Sequence, residues 1–139
     1  MKHPALTVDA VVLAAPGSVV LVRRANEPFA GSWALPGGFV DEGERVADAA
    51  LRELAEETGI EAAPPPALLG VYDTPGRDPR GWTVSVVYLL RLPAPVAVMG
   101  GDDAAAARWF ELDALPPLAF DHALVVADAV SYAGRDPRR

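Results

Sequence analysis

The stretch from Gly37 to Ile60, GGFVDEGERVADAALRELAEETGI, constrains this chain more than any other. A Gly-Gly turn and an acidic loop lead into a short helix whose last two turns carry Arg52, Glu53, Glu56 and Glu57. Residues three and four apart are neighbours on a helix, so Glu53, Glu56 and Glu57 share one side. Ala47, Ala50, Leu51 and Leu54 form an apolar stripe on another. Like charges at these spacings destabilise a helix, and Glu near its C-terminus opposes the macrodipole. A solvated acidic face is the plain alternative. A divalent cation would offset the cost, because hard cations take carboxylate oxygens.

Composition bounds the rest. At 139 residues with 51% hydrophobic, the chain suits one domain, 1–139, with a single core. Twelve basic against nineteen acidic residues give a net charge of −7. That argues against nucleic acid, whose phosphates need a basic face, but not against an anionic nucleotide held through metal. The absence of cysteine excludes disulfides, thiolate zinc and cysteine catalysis. His3 and His122 are too few and too isolated for a metal cluster, and His122 reads as a satisfied residue near a helix start. The apolar run Ala10 to Ala15, with Asp9 interrupting it, is too short for a signal peptide, and nothing approaches a membrane span. A soluble, cytoplasmic protein is expected.

In chain order, Leu6 to Leu13 and Val19 to Arg23 read as strands joined in a hairpin by Pro16-Gly17-Ser18. Arg23 and Arg24 close it, either as a solvated strand end or as a phosphate contact. Trp33 reads as core or as a stacking surface. Gly59 stops the first helix, and Ala62 to Ala67 is a rigid spacer. Leu68 to Tyr72 and Thr83 to Leu92 are further strands. The loop between them holds Arg77, Asp78 and Arg80, a density of charge suited to phosphate or carboxylate contacts. Arg108 to Leu112 reads as a last strand. Asp121 caps a helix through about Tyr132, ended by Gly134, with Ala123, Val126, Ala127 and Val130 inward. Arg135, Arg138 and Arg139 form a basic tail. Strands interleaved with two helices imply an α/β/α sandwich around a mixed sheet.

Gly38, five residues, Glu44, seven residues, then Arg52-Glu53-Leu54-Ala55-Glu56-Glu57-Thr58-Gly59-Ile60 resembles the Nudix box, residues 38–60, without a departure. The resemblance implies a magnesium- or manganese-dependent hydrolase that cuts the pyrophosphate of a nucleoside diphosphate derivative. By it Glu53, Glu56, Glu57 and the Gly38 carbonyl hold metal. Glu53 is catalytic, Arg52 orients Glu53, and Glu44 supports the loop–helix junction.

Further segments, TVDAVVL, RRANEPFAGSWALPGGFVDEGE, DTPGRDPRG and LAFDHA, resemble the ADP-ribose pyrophosphatase branch. That implies ADP-ribose cleaved to AMP and ribose 5-phosphate, a homodimer, and Arg77, Asp78 and Arg80 on the substrate side, with Arg23 as a further candidate. One departure stands out. Relatives commonly carry Glu where this chain has Ala106, which leaves the general base to Glu53, or to Asp102 or Asp103, themselves otherwise plain turn residues. Two alternatives remain: a Nudix enzyme for an oxidised nucleotide, NADH or a dinucleotide polyphosphate, or a non-catalytic ADP-ribose sensor. A sensor would carry a winged helix after the domain. The chain's length leaves no room for one, and the intact box favours catalysis.

Overall fold

A computed structural model describes residues 2–62, 65–101 and 104–135. Its spine is the parallel pairing of β1 (Ala5–Ala14) with β6 (Thr83–Leu92), in register from Ala5 opposite Thr83 to Ala14 opposite Leu92. Both strands are buried Val-rich runs, as a parallel pair covered on both faces requires. β5 (Ala67–Tyr72) adds antiparallel on the outer edge of β6.

The other edge of β1 is divided. β2 (Ser18–Arg24) pairs with it only at Leu13–Val19 and Ala14–Ser18, so the expected hairpin exists at its turn and then opens. Below the fork β4 (Gly37–Phe39) takes the edge, with Thr7, Val8 and Asp9 opposite Phe39, Gly38 and Gly37. β2 runs on between the short β3 (Trp33–Ala34) and β7 (Ala104–Glu111). β7 begins four residues before the expected Arg108. Alanine is a poor strand former, but pairing with Arg23 and Arg24 of β2 draws Ala104 to Ala107 into the sheet. The fork opens the sheet at one end.

α1 (Val46–Thr58) covers one face, where Leu54 meets Ala10, Val12 and Val20, and Ala49 and Ala50 meet Val8 and Tyr88. Burying Leu54 alone contributes roughly 2 kcal/mol. α2 (His122–Arg135) covers the other, where Val125, Val126 and Ala129 meet Val11, Val19, Leu21 and Val87. The mixed sheet between two helices is the sandwich the sequence implied.

α1 buries Ala50 and Leu54 as expected but carries its buried face on to Glu57 and Thr58, while α2 sits one residue out of the expected phase. α1 buries Ala49, Ala50, Leu54, Glu57 and Thr58, with Ala47 and Leu51 at the margin. α2 buries His122, Val125, Val126 and Ala129, while Ala123, Ala127 and Val130 are exposed. Spacings of three and four fit either set in an alanine- and valine-rich helix, and the anchoring of His122 selects one. Gly59 is left-handed (φ 81°) and stops α1 as expected, whereas Gly134 lies inside α2. Ala63 and Pro64 of the spacer, Asp102, Asp103, Arg138 and Arg139 lie outside the described residues.

Candidate active site

The site begins at the Gly-Gly turn. The Ala10 amide donates to the Pro36 carbonyl (2.9 Å), which presses the next two residues onto β1 and α1. A Cβ on Gly37 would stand 2.1 Å from the Val8 carbonyl oxygen and 2.3 Å from Asp9 Oδ1. One on Gly38 would stand 2.7 Å from the Glu53 carboxylate. Neither glycine has a positive φ. Close approach, not backbone freedom, demands glycine here.

Arg52 organises the acids behind the turn. Its Nε and Nη2 donate to Glu44 Oε2 (2.7 Å) and Oε1 (2.9 Å) in a bidentate fork. Nη1 donates to Glu53 Oε1 (2.9 Å) and Glu56 Oε1 (2.8 Å), and Nη2 reaches the Phe39 carbonyl (3.2 Å). Glu44 also accepts the Asp41 amide (3.0 Å). The Arg52 hydrogen bonds, with that amide, hold Glu44 down at about 2, and Arg52 is pushed above its ordinary range, first by Glu44. The loop, the helix and the end of β4 are thus tied to one guanidinium.

The three acids expected on one helix side are divided. Glu57 is buried, with the Gly37 amide donating to its Oε1 at 3.4 Å. Burial first, then the adjoining Glu53 carboxylate, push its pKa up. Glu53 stands beside it, while Glu56 turns to Arg52. As they stand, no three acid or imidazole groups among the described residues are grouped to hold one ion. The donor set nevertheless fits a hard divalent cation: carboxylate oxygens from Glu53, Glu57 and Glu56, the Gly38 carbonyl, and no Cβ in the way at Gly38.

Glu53, Glu57 and Gly38 line a cavity of about 350 Å³ at the open end of the sheet. Arg24, Arg77, Arg80, Asp9, Phe120 and His122 line it too. Carboxylates and guanidiniums lining one cavity suit a metal-bound polyphosphate. The arginines differ in how they are held. Arg77 is buried, donating from Nε and Nη2 to Asp121 (2.9 and 2.7 Å) and from Nη1 to Ser85 Oγ (2.6 Å). Arg80 is half-exposed, held by the buried Asp78 at 2.8 Å and lying 5.0 Å from the Phe39 ring centroid. Arg23 is exposed and does not line the cavity. Strand alternation brings Arg24 there instead.

The NUDIX domain pattern matches residues 3–129. The ADP-ribose pyrophosphatase of Methanocaldococcus jannaschii is 45% identical over 94% of this chain and 75% of its own. The chain belongs to the Nudix family. The NUDIX domain of Shewanella oneidensis NrtR, solved with ADP ribose, superposes with a TM-score of 0.88 at 35% identity, over 96% of this chain and 90% of that one. A Francisella tularensis bifunctional NMN adenylyltransferase/ADP ribose pyrophosphatase, solved with AMP and a manganese ion, superposes at 0.85 and 31% identity, over 96% of this chain and 43% of that one. The chain spans half the length or less of several other curated relatives. Nudix hydrolases depend on divalent metal, and the acids on α1 are where this chain would hold it.

Sequence reasoning overlooked part of this Nudix site. Asp9 is buried at the cavity, pushed up to about 7 chiefly by burial. Its signal was a lone acid at an inward position of an apolar strand. His122, read as merely satisfied, is buried at the cavity with Nδ1 accepting the Leu35 amide (3.0 Å) and Nε2 3.6 Å from Asp9 Oδ2. Burial pushes it down to about 4. Trp33 is partly buried, edge-on to Phe110 with 4.8 Å between ring centroids. Ala106 lies opposite Arg23 on β7 and does not line the cavity.

Proposed function

We propose that this Nudix protein hydrolyses ADP-ribose to AMP and ribose 5-phosphate. One observation carries the reading: Glu53 and Glu57 line the same cavity, of about 350 Å³, as Arg24 and Arg80. The 45% identity to an ADP-ribose pyrophosphatase supports the choice of substrate.

Magnesium or manganese, held by Glu53, Glu56, Glu57 and the Gly38 carbonyl, would neutralise the diphosphate and acidify a water for attack on phosphorus. Glu53, aimed by Arg52 Nη1, would be the base toward the attacking water. Glu44 fixes Arg52 from the far side, so the aim of Glu53 does not depend on the substrate. Arg80 supplies a guanidinium to the substrate's phosphates, and Arg24 adds a second donor group in the same cavity. Arg77, spent on Asp121 and Ser85, holds the loop that carries Arg80 and Asp78. To the same reading belong a cytoplasmic location, a homodimer and no role for nucleic acid. Among the described residues no helix is long and apolar enough to cross a membrane.

The test is a hydrolysis panel with magnesium and with manganese, comparing ADP-ribose with NADH, diadenosine polyphosphates and 8-oxo-dGTP. ADP-ribose should lead in kcat/KM and release AMP. A different leader overturns the substrate and leaves the chemistry. Tight ADP-ribose binding without metal-stimulated AMP release would instead make the protein a sensor.

A further inference from the structure

A second cleft, about 450 Å³, adjoins the carboxylate cavity. It lies where β6 begins, and Lys2, His3, Phe39, Arg80 and Trp82 line it. Phe39 and Arg80 line both spaces, so the two adjoin along that pair. In a chain of net charge −7, its charged lining is basic and, among the described residues, none is acidic.

The cleft exposes aromatic surface, though the Arg80 guanidinium already lies 5.0 Å from the Phe39 ring centroid. Trp82 is 58% exposed and Phe39 50%. The backbone under Trp82 is fixed, because its carbonyl accepts the Ala5 amide at 2.8 Å. Among the described residues its indole stacks on no ring or cation. Phe120, by contrast, is already engaged, with the Phe29 ring edge-on at 4.9 Å and the guanidiniums of Arg24 and Arg80 at 5.0 and 5.5 Å. Of the aromatic side chains around the two spaces, Trp82 has the surface left to stack on something flat. Single exposed aromatics need no explanation. Two that line one cleft, adjoining the cavity that holds Glu53, do.

We propose that the Trp82–Phe39 cleft is the nucleobase subsite. The base of the nucleoside diphosphate stacks on the Trp82 indole, the diphosphate passes Arg80, and the scissile bond reaches Glu53. This rests on the reading of the substrate as a nucleoside diphosphate derivative. It makes Trp82 a specificity-determining residue outside the reacting atoms. Stacking tolerates any base with a π face, so it adds affinity for the base without touching the chemical step.

The experiment follows tryptophan emission while the protein is titrated with AMP, then with ribose 5-phosphate, both without divalent metal. AMP should quench the emission, ribose 5-phosphate should not, and Trp82→Phe should abolish the response while Trp33 and Trp109 still emit. In steady-state assays Trp82→Ala should raise KM for ADP-ribose about tenfold with kcat within about twofold, and Trp82→Phe should recover most of the loss. An AMP response that persists in Trp82→Phe, or an unchanged KM in Trp82→Ala, overturns the subsite. If the wild-type protein hydrolyses no nucleoside diphosphate derivative yet AMP still quenches through Trp82, the proposed reaction fails and the subsite stands.

Discussion

The Cβ that Gly38 lacks would lie 2.7 Å from the Glu53 carboxylate, while the one that Gly37 lacks would lie 2.1 Å from the Val8 carbonyl oxygen. The two neighbours are glycine for different reasons, one against a side chain and one against backbone. Gly38→Ala should therefore keep the fold, with Tm within a few degrees of wild type, and lower kcat at least tenfold as Glu53 is pushed aside. Gly37→Ala should lower Tm sharply, because backbone cannot turn away. Thermal melts and kcat on the same preparations separate the two. Equal Tm losses in both variants would refute the distinction.

Glu53 and Arg52 should be separable in kinetics. Glu53→Gln should cost at least a hundredfold in kcat, about 3 kcal/mol, at saturating metal. A near-normal rate would remove Glu53 from the chemistry. Arg52→Lys keeps the charge but cannot fork onto Glu44 while holding Glu53 and Glu56. A loss of about ten- to a hundredfold is expected, as for other residues that orient a metal-site acid.

Arg77 and Arg80 share a loop but should fail differently. Arg77→Met leaves the Asp121 carboxylate without its buried partner, at a cost of about 3 kcal/mol in denaturant unfolding. Arg80→Met removes a half-exposed side chain, so stability should hold while KM for ADP-ribose rises. A stable Arg77→Met protein with only a raised KM would make Arg77 a substrate contact after all.

His122 should make stability depend on pH. Its Nδ1 accepts the Leu35 amide, so the neutral ring carries its proton on Nε2, and burial pushes its pKa from 6.5 to about 4. Between those values the unfolded chain binds a proton that the folded chain does not. The contribution is complete above about pH 6.5 and is lost as pH falls toward 4, reaching about 2 kcal/mol by pH 5. Asp9 works in the opposite sense. Its pKa rises from 3.8 to about 7, chiefly by burial, so its effect favours the folded state at low pH and is lost as pH rises through that window. Wild-type stability can therefore look flat. Subtracting the curve of His122→Phe gives the imidazole together with its effect on Asp9, 3.6 Å away. That variant should also lose a pH-independent 1–3 kcal/mol or so, because the Leu35 amide is orphaned. A pH-independent difference between the two curves would contradict the assignment.

The sequence by itself determined the local chemistry. Fixed spacing within one helix set Arg52 within reach of Glu56, because i,i+4 geometry is independent of everything else in the chain. The long apolar runs of β1 and β6, and Gly59 as a helix stop, were legible for the same reason. Tertiary structure decided which way the helices turned and what met across the chain. Glu57 went inward because α1 rotates to bury Leu54 between β1 and β2. Arg77 found Asp121, 44 residues on, and Leu35 found His122, 87 residues on. The pairing of β1 with β4 and β6 set both meetings, and no local pattern records them. Arg24 rather than Arg23 reached the cavity for the same reason: alternation puts neighbours on opposite faces, and the face that matters is chosen by the sheet's partners.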